Sequence, residues 1–142
     1  RSIIINKGSK HKVNLGMVVI DGEYLVGKIV EVNYSSSRVL LLSDLNSKIP
    51  VIVEPNTVIS ILSGTGKDYG IIQYSKKYED IKNESVIYTS GAGSLFKAGI
   101  PIGRMNINNL SDEKKVDFFS DFSQLKFVKV VSFKKSENKW QS

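Results

Sequence analysis

Met17-Val18-Val19-Ile20-Asp21-Gly22-Glu23-Tyr24-Leu25-Val26-Gly27-Lys28-Ile29-Val30-Glu31-Val32 is the stretch on which the fold turns. A short apolar run, Met17 to Ile20, meets Asp21-Gly22, and a longer run, Tyr24 to Val32, answers it. Asp-Gly tolerates positive φ and favours a tight hairpin. Gly27 falls inside the return strand, where a glycine marks a bulge or a sharp bend of the kind small barrels need at their corners.

Outward from this hairpin the same style continues. Upstream, Ile3 to Ile5 reads as a strand followed by a turn at Gly8. Downstream, Arg38 to Leu42 is a continuous apolar run, as expected of a strand buried on both faces. Ile49 to Val53 follows, its Pro50 pointing to an edge or a strand start. Val58 to Ser63, Gly70 to Tyr74, Val86 to Thr89, Ile100 to Ile107 and Phe127 to Phe133 complete the series. Turn signals fall every eight to twelve residues, a spacing that favours a sandwich or barrel over βαβ units. Only Asp117 to Lys126 resembles a helical turn, with Asp121 as its N-cap.

The 142 residues fit one domain or two small ones, and 41% hydrophobic content is enough for a folded body. The strands divide near Ser63 to Lys67 into about six on each side, roughly the number that closes a small barrel. The expected fold is therefore all-β: two small six-stranded barrels in tandem with one or two short helical turns. The first barrel covers 1–64 and the second 65–126. Residues 127–142 form a closing strand, a candidate to cross back to the first barrel, with a polar tail.

There is no cysteine, one histidine and a net charge of +6. The lysines are scattered, which suits a solvated surface better than a dedicated polyanion site. No apolar run approaches the roughly 20 residues that span a bilayer. The chain opens on Arg1-Ser2 and runs at once into Ile3-Ile4-Ile5, as expected of an excised fragment whose anchor lies upstream.

Chemistry has few footholds. His11 lies between two lysines in a polar loop, and Ser90-Gly91 has no nucleophile-loop context, so a Ser-His-Asp relay is not expected. Asp112-Glu113 and Glu79-Asp80 lack the alternating ligand spacing of a calcium loop, so no metal is expected. Ser63-Gly64-Thr65-Gly66-Lys67 invites a phosphate-loop reading, but a strand follows it where that loop needs a helix. Leu95-Phe96-Lys97-Ala98-Gly99-Ile100-Pro101 sets large apolar residues in a glycine-flanked loop, the kind of cluster that marks a binding surface. Leu95, Phe96 and Ile100, flanked by Tyr74 and Tyr78, are the candidate partner-binding residues; the competing role for Phe96 is to plug a barrel end. Phe118, Phe119 and Phe122 read as a cap on the core.

An ordered set of segments adds a resemblance. Ile5-Asn6-Lys7-Gly8-Ser9-Lys10, Leu15-Gly16-Met17-Val18-Val19, Leu25 to Val32 and Val39 to Ser47 come first. Ser63-Gly64-Thr65-Gly66 and Thr89-Ser90-Gly91-Ala92-Gly93 to Gly103 follow. In this order and spacing, from about Ile3 to Val131, the chain resembles the periplasmic core of the rod-shape-determining MreC family. The resemblance implies an inner-membrane protein anchored by one N-terminal helix absent from this fragment, then a coiled coil and two small β-barrels on the periplasmic side. It implies a non-catalytic scaffold of the peptidoglycan elongation machinery, without cofactor. The implied partners are the elongation-specific penicillin-binding transpeptidase, MreD and further copies of itself in dimers or filaments. The alternative is a small basic β-barrel for single-stranded nucleic acid, which needs aromatics interleaved with lysines on one sheet face.

Overall fold

The computed structural model describes residues 1–73, 81–91, 98–107 and 113–131. In chain order their strands are β1 (Ser2–Ile5), β2 (Val18–Asp21), β3 (Tyr24–Val32), β4 (Ser37–Leu41), β5 (Lys48–Glu54), β6 (Val58–Gly64), β7 (Tyr69–Gln73), β8 (Val86–Thr89), β9 (Pro101–Ile107), β10 (Lys114–Phe118) and β11 (Val128–Val131). The helical content among the described residues is one 3₁₀ turn, Ser9–His11.

The β2–β3 hairpin is built as its residues dictate. Asp21 pairs Tyr24, and Gly22 takes a positive φ of 64° while Glu23 does not, the pattern of a II′ turn. The pairing slips between Val19↔Gly27 and Ile20↔Leu25, so Val26 is the extra residue of a bulge. A Cβ on Gly27 would overlap the backbone carbonyl of Leu40 on β4, which explains why this corner needs glycine. Alternating side chains then face opposite ways. Val18 and Leu25 join the barrel's apolar cluster, while Val19 and Val26 join a second cluster with Ile5, Val13, Ile29, Val39 and Leu41.

Two sheets result. One is open and five-stranded, in the order β1-β4-β3-β2-β11; the other is a closed six-stranded barrel, β10-β7-β6-β5-β8-β9. All-β is therefore the fold class, but the expectation of two six-stranded barrels is corrected: among the described residues the first unit is an open five-stranded sheet with β1 and β11 as its edges. The boundary expected between residues 64 and 65 also moves. β5 and β6 pair with each other, and through β8 and β7 they belong to the barrel, so the change of sheet falls in the turn between Leu41 and Lys48. The misleading feature was the glycine pair at Gly64 and Gly66. Gly64 is in fact the end of β6, pressed so closely against the backbone of Leu42 and Asp44 that a side chain would collide. β11 pairs with β2, from Val128↔Asp21 to Val131↔Val18, so the last strand lies in the first sheet.

Two local readings change as well. Asp117 to Lys126 is not helical. Its first part belongs to β10, and Asp121 starts a turn in which its carboxylate accepts the Ser123 backbone N–H at 3.0 Å and hydroxyl at 2.6 Å. β5 is paired on both sides, yet tolerates Pro50 because its ladder with β8 begins one residue later, at Val51↔Thr89.

Candidate functional site

The rim of the barrel between β8 and β9 was the expected binding surface. Its two ends are held by buried Thr89. The Thr89 hydroxyl accepts the Ile100 N–H at 3.0 Å, the Thr89 N–H donates to the Ile100 carbonyl at 3.0 Å, and the Thr89 carbonyl accepts the Gly99 N–H at 2.9 Å. Ile100 is 9% exposed and belongs to the barrel core. It is corrected from surface anchor to buried root of the loop, because the backbone clasp by Thr89 turns its side chain inward. Leu95, Phe96, Tyr74 and Tyr78 lie outside the described residues.

The sheet edges are a second feature. Ile4 on β1 is 64% exposed, and Phe127, just ahead of β11, is 86% exposed. Both edges of the open sheet thus carry a large apolar side chain in solvent beside backbone that, among the described residues, is paired on one side only. Ile4 was invisible as a separate case in Ile3-Ile4-Ile5, because three identical residues hide the alternation that puts the middle one on the opposite face.

The Phe118–Phe122 segment sits where the two sheets meet. Phe118 and Phe122 stack with ring centroids 5.2 Å apart against the barrel core. Phe119 meets Tyr24 of β3 at 4.9 Å and lies 5.6 Å from the Arg104 guanidinium. The Ser120 hydroxyl donates to the Leu25 carbonyl at 3.3 Å. These aromatics cap the core, as their sequence suggested, and also join the sheets.

The shifted titratable groups answer to their local hydrogen bonds and charges. His11 Nδ1 accepts the Gly8 N–H at 3.1 Å, and among the described residues no carboxylate is bonded to the ring. Desolvation first, then Lys7 and Lys10, lowers its pKa from the usual value. Asp121 is lowered by the hydrogen bonds from the Ser123 side chain and backbone. The Asp44 carboxylate accepts the Asn46 N–H at 2.7 Å. Among the described residues no group of three or more potential metal ligands converges, and no helix is long and apolar enough to cross a membrane. The arrangement offers surfaces for recognition.

Comparison with known proteins gives one consistent answer. The family described as rod shape-determining protein MreC, barrel core, matches residues 1–132. The chain is 30% identical over 131 residues to the cell shape-determining protein MreC of Caulobacter vibrioides, covering 92% of this chain and 38% of that protein. It is 39% identical over 103 residues to the Haemophilus influenzae protein of the same name, covering 72% and 29%. The chain therefore spans well under half the length of these relatives. The crystal structure of MreC from Pseudomonas aeruginosa superposes with a TM-score of 0.82 at 30% identity, covering 92% of this chain and 88% of that one. A chain from the complex between Penicillin-Binding Protein (PBP2) and MreC from Helicobacter pylori matches with a TM-score of 0.62 at 17% identity, covering 78% and 73%, a likeness of fold. With sequence and architecture in agreement over nearly its whole length, this chain belongs to the MreC family of cell shape-determining proteins.

Proposed function

We propose that this chain is the non-catalytic binding core of a scaffold for the peptidoglycan elongation machinery, placed on the periplasmic side of the inner membrane. The observation that carries this reading is the pairing of a closed barrel with an open sheet whose two edges are unpaired among the described residues. The barrel presents loops and the open sheet presents strand edges, and among the described residues no group of three or more potential metal ligands converges. Family membership supports the link to cell shape.

The elongation-specific penicillin-binding transpeptidase is the proposed partner, a reading supported by the relative from Helicobacter pylori that was solved in complex with PBP2. Leu95, Phe96, Tyr74 and Tyr78 are the proposed contact residues, and the Thr89–Ile100 clasp holds the described end of the segment that leads to β9. A few buried apolar anchors carry most of the energy of such a contact, while rim lysines speed encounter. MreD is a second proposed partner. Self-association is proposed through strand addition at β1 or β11. The nucleic-acid alternative finds no support among the relatives. The anchor and coiled coil are proposed to lie upstream of Arg1.

The test is capture of the transpeptidase's extracytoplasmic domain by immobilised chain. Leu95→Asp with Phe96→Asp should weaken capture about 100-fold or more at unchanged melting temperature. Undiminished capture by a folded double variant would refute the assignment of the contact. No capture by the unmodified chain would refute the partner.

A further inference from the structure

One pole of the open sheet adjoins the β11 edge proposed above for self-association, and its own cleft has no role in that reading. β1, β3 and β4 all reach it at their ends away from the barrel, through Ile5↔Ser37 and Val32↔Ser37. The Ser9–His11 turn lies across the connection from β3 to β4: Ser9 N–H donates to the Asn33 carbonyl at 2.9 Å and Lys10 N–H to the Tyr34 carbonyl at 3.1 Å. Gly8 permits this docking, since a Cβ there would overlap both carbonyls. Beside the turn is a cleft of about 620 Å³. Val13, Met17 and Val130 give it an apolar floor, and His11, Lys12 and Asn14 give it a polar rim.

The charge of this pole is one-sided. Residues 1–47 hold four carboxylates. Asp21 and Glu23 sit at the β2–β3 hairpin, at the opposite end of β3. Glu31 accepts from Arg38 at 3.1 Å, and Asp44 lies in the turn that follows Leu41, at the other end of β4. Lys7, Lys10 and Lys12 are exposed and form no ion pair among the described residues, and Lys7 and Lys10 are close enough to act on His11. Because Nδ1 of His11 accepts from Gly8, its other nitrogen carries the proton and presents a donor.

The floor has a third property. Val130 belongs to β11, which pairs only with β2 among the described residues, so the cleft opens onto an unpaired strand edge. We infer that this cleft and the adjoining β11 edge bind an extended acidic peptide segment of a partner protein, with one apolar side chain on the Val13–Met17–Val130 floor and carboxylates at Lys10, Lys12 and His11. Strand addition supplies backbone hydrogen bonds, and the cleft supplies selectivity. Three features favour this occupant. The site is concave, where a lipid surface needs a protruding one. The exposed face of Tyr34 is already taken by the Lys10 ammonium, 5.6 Å from the ring centre, which removes it as a stacking platform for a base. The chain's own last segment is disfavoured by charge: Lys134, Lys135 and Lys139 outnumber Glu137.

The experiment is an amide-shift titration of the isotopically labelled full chain with a synthetic peptide carrying one leucine between runs of aspartate and glutamate. The expected shifts gather at Ser9 to Met17 and Val128 to Val131. Lys10→Glu with Lys12→Glu should weaken binding at least about tenfold, and Lys10→Gln with Lys12→Gln by less, both at unchanged melting temperature. Lys67→Glu with Lys82→Glu should leave it unchanged. Replacing the leucine by serine should weaken binding several-fold. Shifts elsewhere, no shift at millimolar peptide, or equal binding of a lysine-flanked peptide would overturn the inference. So would tighter binding of anionic phosphatidylglycerol vesicles or a single-stranded oligonucleotide at the same residues.

Discussion

Thr89 shows how much one side chain settles. Its hydroxyl is buried and accepts the Ile100 N–H, so Thr89→Val keeps the shape but strands that donor. The expected loss is about 1–3 kcal/mol in urea unfolding, together with faster hydrogen exchange at Ile100. At the β2–β3 bulge, Gly27→Val has no room against the Leu40 carbonyl and should destabilise the fold, with amide protection falling most in β2 to β4. Acid sensitivity is also set residue by residue. Asp121 is held below its ordinary value of 3.8, so it contributes stability that is complete above that value and is lost as the pH falls through the folded-state value. Asp121→Asn should flatten the acid limb of stability against pH, as read by urea midpoints across the acid range.

The strands behave as units, and β11 is the most consequential. Ending the chain after Phe127 should remove one of the two partners of β2, leave Val19 beside a bare edge and sharply raise amide exchange in β2, while β7 to β9 remain protected. At this scale the sequence was largely readable. Tyr24–Val32 and Val86–Thr89 are strands with the bounds their residues suggested, because dense β-branched runs and turn dipeptides mark both ends. β10 escaped for a physical reason. In Lys114-Lys115-Val116-Asp117-Phe118 only Val116 is fully buried, so no alternation announces a strand, and its place is decided by the pairing of Val116 with both Gly70 and Met105. The candidate contact was less legible. Ile100 was a fair surface candidate by composition, but nothing local shows that Thr89 pulls its backbone inward.

In the whole molecule the two sheets are one cooperative object. Leu25 is fully buried and comes from the open sheet, yet it packs in the barrel's cluster, and Phe122 touches both clusters. Calorimetry should therefore show a single transition with matching van't Hoff and calorimetric enthalpies. Leu25→Ala should lower stability by about 2–5 kcal/mol and shift that transition as a whole; two separate transitions in the unmodified chain would show that the sheets unfold independently. The order of strands along the chain bears on how the molecule is made. The barrel strands run without interruption from Lys48 to Phe118, while the open sheet takes four strands before them and its fifth after. The barrel is thus a guest domain spliced into a host. A ribosome delivering this polypeptide from its first residue must release the entire guest before the host acquires its final member. Until then the growing host shows β2 as a naked template, and the hazard of premature pairing with a neighbouring nascent chain is greatest during that interval.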